Sequence, residues 1–400
     1  MMKPDQQQRY YPLTHAQNRI WYIEKLYPKT PLFNLGGTIT FKGHTDLKRL
    51  EQALIRFISN NDSLRLKFVE VEGQVQQYFS KDDTPEIEYV DFSFAIDPLS
   101  RYKEWVAEQV SIGFELIESP LFYIALFRLN PNTCGYFVKF HHLIADGWSM
   151  NILTSQVCEM YGRLIDHSEP DSLGEYSFEA YIPAEKELQT KDRFHKDKTF
   201  WREKFLELPD AFLVKSSDDI RAERMTFFLD EAKTQLVKQF IKRHNLSMNS
   251  FFMTIMLIYL FRTTHNEDLI VGTPVLNRSG KREKNIFGMF VNMMPFRKQI
   301  RENEDTIALF DQVNRELIQC FFHQKYPFDL LVKDLELHRK GYDQLFQICV
   351  NYSNAKLVDQ LEGLRSRTRN FSRVIRSIRF ICSSRIGMNP EACDWISNTR

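Results

Sequence analysis

The run from residue 135 to residue 164 changes its hydrophobic period midway, and this restricts the fold more than any other feature of the chain. Gly135-Tyr136-Phe137-Val138-Lys139-Phe140 is rich in aromatic and β-branched side chains and reads as a strand. Beyond Gly147, Ile152, Leu153, Val157, Met160, Tyr161 and Leu164 fall on one face at helical spacing, with Ser149 as the expected N-cap. A strand delivered into a helix is a unit of a mixed α/β (α+β) fold, and such alternation continues throughout. Leu47, Leu50, Leu54 and Ile58 predict a helix, residues 236–241 an amphipathic helix, and Leu345 to Tyr352 a strand. Phe251 to Phe261 predicts a buried helix, too short to span a bilayer. With 400 residues the chain exceeds the usual size of one core, so two lobes are expected. The loop from His167 to Gly174 is the expected boundary, giving lobes over 1–174 and 175–363.

Composition narrows the partners. A net charge of +1 gives no reason to expect nucleic acid or an anionic membrane. Six cysteines, at 134, 158, 320, 349, 382 and 393, form no C-x-x-C pair. Together with the polar start Met1-Met2-Lys3-Pro4-Asp5-Gln6, which does not read as a signal peptide, they predict a reducing cytoplasm. Residues 364–400 differ from what precedes them. The chain uses 25 Lys and 20 Arg up to Gly363, then 8 Arg, no Lys and only two acids, Glu391 and Asp394. No period is convincing there. The expectation is an atypical basic terminus, aberrant or out of frame, that leaves the second lobe incomplete; a basic surface tail is the alternative.

The chemistry sits where the strand becomes the helix, in His141-His142-Leu143-Ile144-Ala145-Asp146-Gly147-Trp148-Ser149. Neighbouring side chains on a strand face opposite ways, so only one histidine can serve a given cavity. Continued alternation puts His142 with Tyr136, Val138 and Phe140. Asp146 can fix the loop by pairing with a cation, and Gly147 permits a backbone angle that other residues resist. A structural His–His pair in a core strand is the plain alternative. A metal site lacks a third clustered ligand. No G-x-S-x-G, H-E-x-x-H, Walker loop or G-x-G-x-x-G occurs, which disfavours serine hydrolases, zinc proteases and nucleotide enzymes.

This segment resembles the H-H-x-x-x-D-G motif of nonribosomal peptide synthetase condensation domains, relatives of chloramphenicol acetyltransferase. The likeness continues in order. Thr14-His15-Ala16-Gln17-Asn18-Arg19-Ile20-Trp21 is similar to the opening S-x-A-Q-x-R-L-W. Asn60-Asn61-Asp62-Ser63-Leu64-Arg65 stands where R-H-E-x-L-R is usual. Arg193-Phe194, Asp197 and Phe200-Trp201 resemble the fourth motif. Phe287 to Arg297 is close to G-x-F-V-N-T-x-P-L-R, and His323-Gln324-Lys325-Tyr326-Pro327-Phe328-Asp329 to H-Q-D-Y-P-F-E. Gly341 to Phe346 keeps little of the last motif. Six motifs in order over residues 11–350 make a specific match.

The resemblance implies a V-shaped pseudodimer of two chloramphenicol-acetyltransferase-like lobes, with His142 at the floor of a tunnel between them. No intrinsic cofactor is implied. Substrates arrive on the phosphopantetheine arms of carrier proteins, or as acyl-CoA, and the amine of one attacks the thioester of the other. The resemblance makes Asp146 structural, paired with an arginine, for which Arg65 is the candidate and Arg19 the reserve. Trp148, Ser149 and Asn292 become candidate tunnel residues; Trp148 otherwise packs between the lobes, and Asn292 otherwise caps a strand. Lys281-Arg282-Glu283-Lys284 reads as a solvated loop, with carrier-protein contact as the alternative. Peptidyl carrier proteins and an adjacent adenylation domain are the implied partners of a monomer. Met150 stands where epimerisation domains usually carry Trp, and heterocyclisation domains replace both histidines with Asp. Tyr11 to Lys25 resembles starter condensation domains, which attach a fatty acyl group to the first amino acid, and only about ten residues precede the first motif for upstream docking. Peptide elongation and a non-catalytic, carrier-binding remnant remain the alternatives.

A histidine suits this reaction in a particular way. An α-amine has a reference pKa near 8 and an imidazole near 6.5, so histidine is too weak a base for the ammonium by about 2 kcal/mol. Once nitrogen has attacked it is far more acidic, and the imidazole is then matched to accept its proton. His142 is therefore expected to orient the amine and take the proton during or after attack, with alignment of the two arms contributing as much as the base.

Overall fold

In the computed structural model the periods read from the sequence become helices and strands, the strands forming two four-stranded mixed sheets and one two-stranded hairpin. The structure describes residues 8–81, 86–166, 176–209, 225, 227–342 and 344–353, with 377–382 as backbone alone. The expected boundary loop, 167–174, lies outside them, as does most of 364–400.

The first lobe runs α1 (His15–Leu26), β1 (Asn34–Lys42), α2 (Leu47–Asn60), a hairpin of β2 (Leu66–Val71) and β3 (Gln74–Phe79), β4 (Glu88–Asp91), α3 (Pro98–Ser111), β5 (Phe122–Asn130), β6 (Thr133–His141) and α4 (Gly147–Ile165). Its sheet has the order β1-β6-β5-β4, with β6 antiparallel to both neighbours. A central strand is buried on both faces, and the period-two rule shows in which core each side chain enters. Tyr136, Val138 and Phe140 join the main core with Leu50, Leu54 and Phe57 of α2 and Leu153 and Val157 of α4. Phe137 points the other way, against Trp105 of α3 at a ring distance of 5.2 Å.

The second lobe runs α5 (Phe178–Leu188), α6 (Asp192–Lys204), α7 (Glu231–Arg243), α8 (Met248–Thr264), β7 (Asp268–Val275), α9 (Gly280–Lys284), β8 (Asn292–Gln299), α10 (Thr306–Phe322), α11 (Phe328–Asp334), β9 (Ile348–Ser353) and β10 (Ser377–Cys382). Its sheet has the order β10-β9-β7-β8. One helix departs from its expected burial. Phe251 to Phe261 lies in α8, which is not buried all round: Met253, Leu257 and Leu260 enter the core while Tyr259 is 60 % exposed. The amphipathic helix expected at 236–241 is α7, with Val237, Phe240 and Ile241 half-buried and Leu236 65 % exposed. Among the described residues no single helix is long and apolar enough to cross a membrane. The segment without a readable period supplies β10, whose backbone pairs antiparallel with β9, Ser377 opposite Ser353. Pairing with an existing edge, rather than a pattern of its own, sets that strand.

The second half of the chain lends material to the first lobe. Phe178, Tyr181 and Ile182 of α5 and the stretch 286–291 lie beyond the expected boundary, yet they belong to the first lobe's core. Phe287 packs on Phe57 and Phe140 at 5.4 and 5.3 Å, and Phe290 on Tyr181 at 4.3 Å. Gly288 admits this approach, because a Cβ there would sit 2.3 Å from the Phe178 ring. The Phe287–Arg297 motif thus anchors in one lobe and becomes β8 in the other.

Candidate active site

β6 ends at His141, one residue short of His142, and the backbone N–H of His142 donates to Phe33 O at 2.9 Å. The His142 side chain is 0 % exposed. Burial pushes its pKa down to about 3, and the nearby Arg19 guanidinium adds to the fall, while the backbone carbonyls of Ala145 and of His142 itself pull upward. His141 would depress it too, if it carried two protons. Its contacts oppose that: Nδ1 faces the Leu143 backbone N–H at 3.1 Å, so this nitrogen must accept. The single proton then lies on Nε2, 3.2 Å from Glu24 Oε1. His142 is thus neutral and fully buried, whereas His141 is committed on both ring nitrogens.

Asp146 closes the loop. It is the N-cap of α4, accepting from Ser149 N at 2.9 Å, and Ser149 returns the contact from position N3 in a capping box. The cap expected at Ser149 therefore sits at Asp146, with Ser149 as its partner. The Asp146 carboxylate also accepts from Arg278 Nη2, at 2.9 Å to Oδ1 and 3.0 Å to Oδ2, and from Phe290 N at 3.0 Å. Both ion-pair members are wholly buried. The arginine partner is thus Arg278, and the assignments to Arg65 and Arg19 are corrected. Arg65 follows α2 and donates to Ser59 O at 3.0 Å, satisfying a carbonyl of that helix's last turn. Arg19 donates to Val291 O at 3.4 Å, beside His142. Gly147, at the first position of α4, is not among the residues with left-handed φ, so no special backbone angle is required there.

With this geometry defined, likeness to known proteins becomes informative. The condensation-domain family model matches residues 7–380. Surfactin synthase subunit 1 of Bacillus subtilis is 31 % identical over 350 residues, covering 86 % of this chain and 10 % of that protein. One subunit of plipastatin synthase from the same organism is 32 % identical over 348 residues, covering 86 % and 14 %. The chain belongs to the condensation-domain family. It spans only 10–14 % of the length of these two relatives. Among solved structures, the starter condensation domain of rhizomide synthetase in complex with C8-CoA superposes with a TM-score of 0.75 at 23 % identity, covering 86 % of this chain and 79 % of that one. The first condensation domain of the CDA synthetase gives 0.74 at 19 %, covering 95 % and 88 %. These likenesses support the two-lobed chloramphenicol-acetyltransferase-like fold.

In this condensation domain the remaining candidates serve as joints. Trp148 Nε1 donates to Lys284 O at 2.8 Å, tying the start of α4 to the end of α9 across the lobes. Ser149 Oγ donates to Gly288 O at 3.0 Å. Asn292 donates to the carbonyls of Gln324 and Tyr326 at 3.0 and 2.8 Å and accepts from Phe328 N at 3.1 Å. Its amide is spent on clamping the 324–328 turn, so it is the structural amide and not a tunnel group. Lys281 to Lys284 forms the short helix α9, and Glu283 pairs with Lys325 at 2.9 Å. The other motifs are scaffolding too: Asp197 holds His323 Nδ1 at 2.7 Å, and Asp62 accepts from Phe178 N and Glu179 N at 2.9 and 3.0 Å. Two residues escaped the sequence reading. Arg278 gave no local signal, lying in a loop far along the chain from Asp146. Glu24 did give one: with Gln17, Ile20 and Trp21 it completes an i, i+3, i+4, i+7 inner face on α1, where a carboxylate is out of place.

Proposed function

We propose that this condensation domain joins a thioester-bound acyl group to the amine of an aminoacyl carrier protein, with His142 at the reacting atoms. The observation that carries this reading is a neutral, sealed imidazole at a strand end, where residues from both lobes close the loop through Asp146 and Arg278. On β6, His141 Nδ1 holds the Leu143 N–H of the turn that bears His142, and Lys139 Nζ is spent on the carbonyls of Gln109 and Ile112 at 2.9 and 3.0 Å.

The amine lone pair attacks the thioester carbon as the carbonyl π pair moves to oxygen. The nitrogen becomes acidic and its proton passes to His142. Collapse breaks the C–S bond, and the departing thiolate takes that proton, returning the imidazole to its neutral form. A ring held to about pKa 3 is neutral at any working pH. Since burial is the main cause of that depression, polar groups brought by the substrates raise its basicity when they arrive.

Within this reaction the reading favours the starter role: a fatty acyl group, delivered as a carrier-bound or CoA thioester, is placed on the first amino acid. The likeness to a starter domain bound to C8-CoA and the Tyr11–Lys25 wording support it. Carrier proteins and an adjoining adenylation domain are its partners. The cysteine spacing of the sequence supports a reducing cytoplasm as the compartment.

The test offers octanoyl-CoA and an aminoacyl carrier protein to the wild type, His142→Ala and His141→Ala, and follows amide formation by mass spectrometry. His142→Ala is expected to lose about 10²–10⁴-fold in rate while staying folded. His141→Ala is expected to lower the melting temperature and to lose less rate than His142→Ala, since it loosens the turn and leaves the reacting group in place. Equal, mild losses in two well-folded variants would remove His142 from the reaction centre.

A further inference from the structure

Glu24 lies on the inner face of α1 and is 3 % exposed. A buried carboxylate is costly beside apolar neighbours such as Ile20 and Trp21, and packing alone gives no reason to keep one. Its Oε1 is 3.2 Å from His141 Nε2. The His141 ring is pinned in every other respect. Phe33 and Phe114 meet it edge-on at ring distances of 6.2 and 6.0 Å. Nδ1 accepts the Leu143 N–H at 3.1 Å, and the Leu143 carbonyl accepts Gln17 Nε2 at 2.9 Å. Gln17 and Glu24 are seven residues apart, two helical turns along one face. The same helix therefore holds both sides of residue 143, directly through Gln17 and through the His141 ring by way of Glu24.

We propose that Glu24 is a positioning residue: by accepting the Nε2 proton it fixes the tautomer of His141, so that Nδ1 holds the Leu143 N–H and the turn presents His142 in its working place. Without an acceptor at position 24, a proton on Nε2 is buried and unpaired, and moving it to Nδ1 sets two donors face to face at Leu143. Either outcome loosens the residue next to His142. The placement of His142 then varies by amounts that orientation-dependent catalysis registers.

This inference rests on the acyl-transfer reading for its kinetic arm only. The experiment takes the full chain with ¹⁵N-labelled histidine, assigns His141 by its loss in His141→Gln, and reads the tautomer from long-range ¹⁵N–¹H spectra, alongside kcat and KM for octanoyl-CoA. Wild type is expected to show Nε2–H. Glu24→Gln, which keeps an acceptor oxygen, is expected to retain both that tautomer and kcat to within about threefold. Glu24→Ala is expected to lose the single Nε2–H form and about tenfold or more in kcat, with KM unchanged, as outer partners of working histidines do elsewhere. A Glu24→Ala protein with the wild-type tautomer or kcat overturns the proposal. If Glu24→Ala does not fold, Glu24→Gln decides, and an Nδ1–H tautomer or a large kcat loss there overturns it. A wild type that transfers no acyl group would instead sink the functional reading, and the tautomer comparison would still judge Glu24.

Discussion

His142 and His15 are both served by α1, yet their surroundings drive them in opposite directions. His142 is wholly buried, and that burial, with Arg19 nearby, pushes it down to about 3. His15, at the start of α1, is 17 % exposed and spans the lobes: Nδ1 lies 2.8 Å from Asp329 Oδ2 on α11, and Nε2 2.7 Å from Gln189 Nε2. Burial alone would lower His15, but the Asp329 hydrogen bond and the charges of Asp329 and Glu185 outweigh it and hold the ring above its usual value. For His142, the proposed proton acceptor, burial favours the neutral ring. His15, which ties two lobes, is instead raised by Asp329 at Nδ1 and by the charge of Glu185. The carboxylates near the His142 turn are correspondingly turned elsewhere, Glu24 to His141 and Asp146 to Arg278.

The strongest way to break this comparison is to release one of those carboxylates. Asp146→Asn leaves Arg278 buried without its anion, with an expected loss of about 3–5 kcal/mol in unfolding free energy. Turnover should fall with stability, because the same change loosens the N-terminus of α4 and the 286–291 segment. Arg65→Ala, which removes only a carbonyl contact near a helix end, should cost about 1 kcal/mol or less. Denaturant titration of both variants measures the difference. Normal stability with abolished turnover in Asp146→Asn would instead make Asp146 a participant in the chemistry.

The next test uses pH. His142 keeps a folded pKa of about 3 against an unfolded reference near 6.5, so between those values the unfolded chain binds the extra proton. Its contribution is fully present above pH 6.5 and is lost as pH falls. The slope is at most about 1.4 kcal/mol per pH unit. From pH 6.5 to 5, where most carboxylates are still ionised, wild type should lose stability faster than His142→Gln. Parallel curves would show that the ring charges readily where it sits, and the contrast with His15 would fail.

The sequence made some of this legible and hid the rest for physical reasons. His142, Asp146 and the strand-to-helix change are contiguous, so local rules reach them. The cap of α4 was misplaced because both Asp146 and Ser149 satisfy the capping preference and the box uses them together. Arg278 was hidden because an ion pair between distant loops leaves no period to read. Asn292 fitted the motif equally well as a tunnel group or as a clamp, and only its three backbone contacts decide. β10 has its place through β9, a tertiary fact with no local signature.

The smallest expected effect has the opposite sign. His15 has a folded pKa above the unfolded value near 6.5, so its contribution is fully present below pH 6.5 and is lost as pH rises through the folded pKa. The pair is partly exposed and solvent screens it, so the whole contribution should stay within about 1 kcal/mol. His15→Gln keeps a hydrogen-bonding side chain but cannot carry the charge, and Asp329→Asn removes the opposite partner. The stability difference between wild type and either variant should therefore be largest near pH 6 and shrink towards pH 9. High salt should reduce it further, whereas the pH dependence of the buried His142 should scarcely respond to salt. A difference that grows with pH would mean His15 is neutral in the fold. The contact between α1 and α11 would then be a hydrogen bond between uncharged and charged partners rather than an ion pair, and acids around His15 would no longer explain why the two histidines diverge.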